Sequence, residues 1–126
     1  MTEDQLQADC FKWGNNRLPI EDRKLLWAVP NGGSRKFEII QGKRVSKEGM
    51  KLKATGVIPG VHDLHLFLRG KFFTFELKVN DNTLSDDQIE WGEKVKRNGG
   101  YVYAPLYTLE SFKFAFEDAL FKSEIY

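Results

Sequence analysis

Asp63, Glu76 and Lys78 lie within a stretch that reads as a β-hairpin. Residues 61–68 and 71–79 alternate as strands, and Arg69-Gly70 between them is a two-residue turn in which glycine supplies a positive φ. With that turn Leu68 pairs with Lys71, and Asp63 falls directly opposite Glu76. Opposed side chains share a face, with Cβ atoms about 5 Å apart. Lys78 lies two residues beyond Glu76 and so points the same way. Two like charges placed across from each other repel unless something positive lies between them. Lys78 is one candidate, and a divalent cation is another. Two hard carboxylate oxygens, with the Leu77 backbone carbonyl between Glu76 and Lys78, suit Mg²⁺ or Mn²⁺. The plain alternative is a solvated sheet face carrying a Glu–Lys pair. A register slip of one residue would separate Asp63 from Glu76.

The surrounding elements must hold that hairpin in place. Thr2 and Gln5 form a capping box that opens a helix over residues 2–14, with Leu6, Cys10 and Trp13 on one face and Gly14-Asn15-Asn16 as its stop. Leu25–Val29 reads as a buried strand ended by Pro30-Asn31-Gly32-Gly33. A helix over residues 45–54 is expected, weakened by Gly49. Ser85 and Gln88 form a second capping box for a helix that runs to Asn98 and stops at Gly99-Gly100. Tyr101–Pro105 reads as a strand closed by its proline. Thr108 starts a last helix with Leu109, Phe112, Phe116 and Leu120 on one face. The order is roughly α-β-β-β-α-β-α, with a basic insert after the first strand. It predicts an α/β (α+β) fold, a mixed sheet flanked by helices.

Composition is consistent with one small soluble domain. The chain has 126 residues, 41% hydrophobic and 29% charged, which suits a single unit over 1–126. No run approaches the roughly 20 apolar residues of a membrane span. Met1–Gln5 is polar and acidic, so no signal peptide is expected, and the single Cys10 excludes a disulfide framework within the chain. A cytoplasmic setting is therefore expected. Trp13, Trp27 and Trp91 are expected in the core, and Cys10 is expected as a buried small hydrophobe. Net charge is +1, but Ser34–Lys53 carries seven basic residues (Arg35, Lys36, Lys43, Arg44, Lys47, Lys51 and Lys53) against Glu38 and Glu48. A basic face of this kind suits a polyanion such as nucleic acid.

Four motifs then occur in order: Pro30-Asn31-Gly32-Gly33-Ser34-Arg35, Gly56–Leu64, Glu76-Leu77-Lys78 and Leu84–Trp91. Together they resemble the VRR-NUC domain, the virus-type replication-repair nuclease branch of the PD-(D/E)XK superfamily, in its stand-alone phage or bacterial form. The resemblance runs from Glu3 to Val102, nearly the whole chain. It implies a restriction-endonuclease-like core and a Mg²⁺- or Mn²⁺-dependent endodeoxyribonuclease acting on branched DNA such as a four-way junction, with a homodimer as the working unit. It implies that Asp63, Glu76 and the Leu77 carbonyl bind metal. Glu3 would complete the site from the first helix, Lys78 would position or deprotonate the attacking water, and Gln88 would face the site from the following helix. Asn31 and Arg35 would contact phosphate, with Lys36, Lys51 and Lys53 adding to the DNA-binding face. The sequence departs from the superfamily at one point, where His62 stands in place of the usual proline. Strand alternation puts His62 on the face opposite Asp63, and His65 on the same face as Asp63. A catalytically inactive DNA-binding module of the same fold is the alternative, expected to bind DNA without metal-stimulated cleavage.

Overall fold

The hairpin register rests on its turn. In the computed structural model, which describes residues 1–30, 38–40, 43–45 and 54–125, Arg69 has φ 50° and Gly70 φ 78°. Both central residues of the turn are left-handed, the backbone that matches the twist of two antiparallel strands. Strand β4 (Leu64–Leu68) therefore pairs with β5 (Lys71–Leu77) through Leu68↔Lys71, Leu66↔Phe73 and Leu64↔Phe75. Strand β1 (Leu26–Ala28) pairs antiparallel with β4, and β6 (Tyr101–Leu106) pairs parallel with β5, giving one sheet in the order β1-β4-β5-β6. Strands β2 (Glu38–Ile40) and β3 (Lys43–Val45) form a separate antiparallel pair within the basic insert. The chain is thus a mixed α/β fold, as the order of elements predicted.

Alternation along the strands separates two faces. Leu26, Leu64, Leu66, Leu68, Phe73, Phe75 and Leu77 are buried on one face. Helix α1 (Glu3–Arg17) contributes Leu6 and Cys10 to this core, and α3 (Leu109–Ile125) contributes Phe112, Ala115, Phe116 and Ala119. Arg17 and Glu117 join these two helices through a bidentate ion pair at the surface, Nε to Oε1 at 2.5 Å and Nη2 to Oε2 at 3.0 Å. Helix α2 (Asp86–Arg97) crosses over between β5 and β6 and lays Trp91 on the opposite face, against His65. Towards β1 that face opens to solvent: Trp27 is 37% and Phe67 45% exposed. The expected buried first strand is therefore an edge strand, with Leu26 buried and Trp27 and Ala28 exposed.

Both capping boxes are present, Thr2 with Gln5 and Ser85 with Gln88. Three boundaries differ from the expectation. Helix α1 does not stop at Gly14; it runs to Arg17, and Gly14 is buried where a Cβ would come within 2.8 Å of Leu26 Cδ2 and 3.1 Å of Phe116 Cε1. The glycine permits close helix–sheet packing instead of ending the helix. Strand β6 continues through Pro105 to Leu106, because an edge strand tolerates a residue without an N–H. Of the helix expected over residues 45–54, Val45 ends β3 and Ala54 is helical, and the residues between lie outside the described ones. Among the described residues, no helix is long and apolar enough to cross a membrane.

Two measurements test this packing. Gly14→Val is expected to lower unfolding free energy by about 1–3 kcal/mol in denaturant titrations, because the added methyls overpack the seam between α1, β1 and α3. Cys10 is fully buried, and burial pushes its thiol up to about 12. It should stay unreactive towards a thiol reagent in the native chain and react promptly once the chain is unfolded.

Candidate functional site

Three segments meet at the end of the hairpin away from the turn. Glu76 is the sixth residue of β5, and its side chain is 1% exposed by residue. Asp63 immediately precedes β4 and is 3% exposed. The two are cross-linked through the backbone. The Asp63 N–H donates to Glu76 Oε1 at 3.1 Å, and the Leu77 N–H donates to Asp63 Oδ2 at 2.9 Å. Glu3 arrives from the first turn of α1, fixed there by the Thr2–Gln5 capping box. One carboxylate oxygen from each of Glu3, Asp63 and Glu76 lies within 4.8 Å of the other two. Lys78 Nζ stands 3.9 Å from Glu76 Oε2.

Helix α2 closes the other side. Gln88 uses both ends of one amide: Oε1 accepts from the Ser85 N–H at 2.9 Å, and Nε2 donates to Glu76 Oε2 at 3.1 Å. The capping reading and the site reading of Gln88 are thus one structure. Each Glu76 oxygen has a donor, and the carboxylate has no freedom left to turn towards water.

The electrostatics favour a cation. Burial raises the Glu76 carboxyl above its ordinary value, and repulsion from Asp63 raises it further, with Lys78 opposing. Burial also raises Asp63, although the Leu77 N–H bond and Lys78 pull it back. Glu3 is raised by burial, with Lys78 lowering and Asp63 raising it. Among the described residues Lys78 is the ammonium beside Glu76, and one positive charge is too little for three converging carboxylates, two of them buried. The donor set is all hard oxygen, which fits Mg²⁺ or Mn²⁺ better than a soft metal. Glu3, Asp63 and Glu76 are the side chains placed to hold one.

The histidines serve other contacts. Alternation put His62 on the face opposite Asp63, but both residues precede the regular strand, and alternation does not extend to them. His62 is buried on the same face as Thr74, with Nδ1 2.9 Å from Thr74 Oγ1 and Nε2 3.0 Å from the Gln88 carbonyl. His65 lies opposite Thr74 and is packed by the rings of Trp27, Phe72 and Trp91. Burial lowers it to about 4, so it remains neutral there. Neither histidine is among the clustered ligand atoms. Sequence reasoning missed the Thr74–His62–Gln88 contacts. The available signal was Thr74 on the Glu76 face, two residues before it. Asn31, Arg35, Lys36, Lys51 and Lys53, expected to contact DNA, lie outside the described residues.

No protein-family model matches this sequence, and no curated protein matches it. The architecture does match a solved structure. A VRR_NUC domain protein superposes with a TM-score of 0.68 at 17% sequence identity, covering 93% of this chain and 86% of that one. The fold expected from the motifs is therefore the fold observed.

Asp63→Asn tests the charge argument. The amide keeps an oxygen for the Leu77 N–H and removes one negative charge from the cluster. In chelator the variant should be more stable than the wild-type chain by about 1 kcal/mol, a few degrees in melting temperature. On addition of Mn²⁺ or Mg²⁺ the melting temperature of the wild-type chain should rise and that of the variant should not.

Proposed function

We propose that residues 1–126 form a single nuclease domain that hydrolyses DNA phosphodiester bonds with Mg²⁺ or Mn²⁺. The observation that carries this reading is the convergence of Glu3, Asp63 and Glu76 beside Lys78 at the open end of the hairpin. The VRR_NUC name of the structural neighbour and the four motifs of the sequence support the same reading.

When bound, a divalent cation supplies neutralising charge at the phosphate and acidity to nearby water. Glu3, Asp63 and Glu76 would hold it, with the Leu77 carbonyl as a further oxygen. The chain's own groups do the rest. Asp63 and Glu76 are locked by each other's strand, so their oxygens need no reordering during reaction. Gln88 keeps Glu76 Oε2 aimed into the site. Lys78 brings a positive charge to within 3.9 Å of that oxygen, where it orients the attacking water and favours loss of its proton. Its charge also lessens the cost of the negative charge that builds on the phosphoryl oxygens.

The substrate we favour is branched DNA, a junction or a flap. The basic insert, including Lys36, Lys51 and Lys53, would hold flanking phosphates together with Asn31 and Arg35. A homodimer would present two such sites to two strands.

The test uses junction, flap, single-stranded and linear duplex DNA, each with Mn²⁺ and with chelator. Cleavage should require the metal and prefer the branched substrates. Glu76→Ala and Lys78→Ala should each abolish cleavage while DNA binding remains close to wild type. A Lys78→Ala protein that cuts as fast as wild type would sink the assignment. Metal-independent binding without cleavage by the wild-type chain would point instead to an inactive DNA-binding module.

A further inference from the structure

His62 occupies a position the carboxylates do not explain. It is 1% exposed and adds a second polar link between α2 and β5, beside the Gln88–Glu76 bond. A backbone carbonyl can only accept, so the 3.0 Å contact with the Gln88 carbonyl requires the proton on His62 Nε2. In the neutral ring Nδ1 then accepts, and the Thr74 hydroxyl 2.9 Å away is the donor. The Gln88 carbonyl thus fixes the tautomer in the way the acceptor behind a metal-ligating imidazole does, although this imidazole is not among the clustered ligand atoms. The surroundings are cut to fit the ring. Trp91 meets it edge-on at 4.8 Å, and Gly92 leaves it room, since a Cβ there would stand 3.1 Å from His62 Cε1.

The bonds form a closed circuit. Thr74 and Glu76 are two residues apart on β5 and share a face. Thr74 holds His62, His62 holds the backbone of Gln88, the Gln88 side chain holds Glu76 Oε2, and the backbone of Asp63, next to His62, holds Glu76 Oε1. We propose that His62 is a positioning residue: it clamps the first turn of α2 to β5 and thereby keeps the Gln88 amide on Glu76. The proposal rests on the carboxylates being the metal centre. It also accounts for the departure from proline at this position, because proline has no side-chain group that can reach either Thr74 or Gln88.

The side-chain amides of glutamine and asparagine separate the two bonds. The glutamine amide reaches about as far as imidazole Nε2, and the asparagine amide only about as far as Nδ1. His62→Gln retains a donor for the Gln88 carbonyl, and His62→Asn does not. Mn²⁺ affinity is measured by calorimetry on the full chain without DNA, well below each variant's melting temperature, with Glu76→Gln as control. His62→Asn should lose about tenfold or more in Mn²⁺ affinity, while His62→Gln stays within about threefold of wild type, the range expected when a group that orients a metal ligand is removed or kept. In cleavage assays His62→Asn should lower kcat and leave KM for DNA unchanged. The Glu76→Gln control keeps the two ideas apart. If it binds Mn²⁺ as wild type does, the metal centre itself is wrong. If it loses Mn²⁺ while His62→Asn keeps wild-type affinity and kcat, only the role of His62 is overturned. Should His62→Asn not fold, long-range ¹H–¹⁵N spectra of the wild-type chain read the tautomer directly. A proton on Nε2 and none on Nδ1 is expected, and a proton on Nδ1 alone overturns the proposal.

Discussion

Carboxylates forced together out of water repel, and the rest of this structure is arranged around tolerating that repulsion. Asp63 and Glu76 could relieve it by swinging outward, but each is tied to the other's strand by a backbone N–H. Those two bonds exist because the strands are in one register, and the register exists because Arg69 and Gly70 both adopt left-handed backbone. The strain at one end of the hairpin is therefore fixed by the turn at the other. A core of Leu and Phe side chains beneath β4 and β5 supplies the stabilisation that such a site withdraws.

Gln88 shows how one side chain can meet two demands. A capping box needs an acceptor at the third position of the helix, and a carboxylate site needs a donor. A glutamate would cap α2 equally well but would add a fourth negative charge near Glu76. Glutamine offers an oxygen to Ser85 and a nitrogen to Glu76, so α2 begins where the site requires it. Thr2 and Gln5 do the corresponding work for Glu3, by capping α1 so that Glu3 is its first residue.

Much of this was legible in the sequence because it depends on local rules. The two-residue turn gave the pairing of Asp63 with Glu76, and the two capping boxes gave the starts of α1 and α2. The failures lie where those local rules stop. Gly14 carries the composition of a helix stop, but its use is set by Leu26 and Phe116, which are distant in sequence. Trp27 reads as core by residue type, yet it lies on an edge strand, which sequence order does not reveal. His62 was misplaced because alternation was carried past the end of the regular strand. The hairpin of β2 and β3 lies in the basic insert, where charge masks the alternation that marks a strand.

The acidic triad draws its members from the start of α1, the lead-in to β4 and the end of β5, so more than seventy residues separate Glu3 from Glu76. No short peptide cut from this chain contains the set, and a chain whose first helix has not yet docked has only two of the three. Competence and completed folding therefore coincide. On the nuclease reading proposed above, that coincidence acts as a safeguard: nascent, clipped or misfolded copies lack the assembled set.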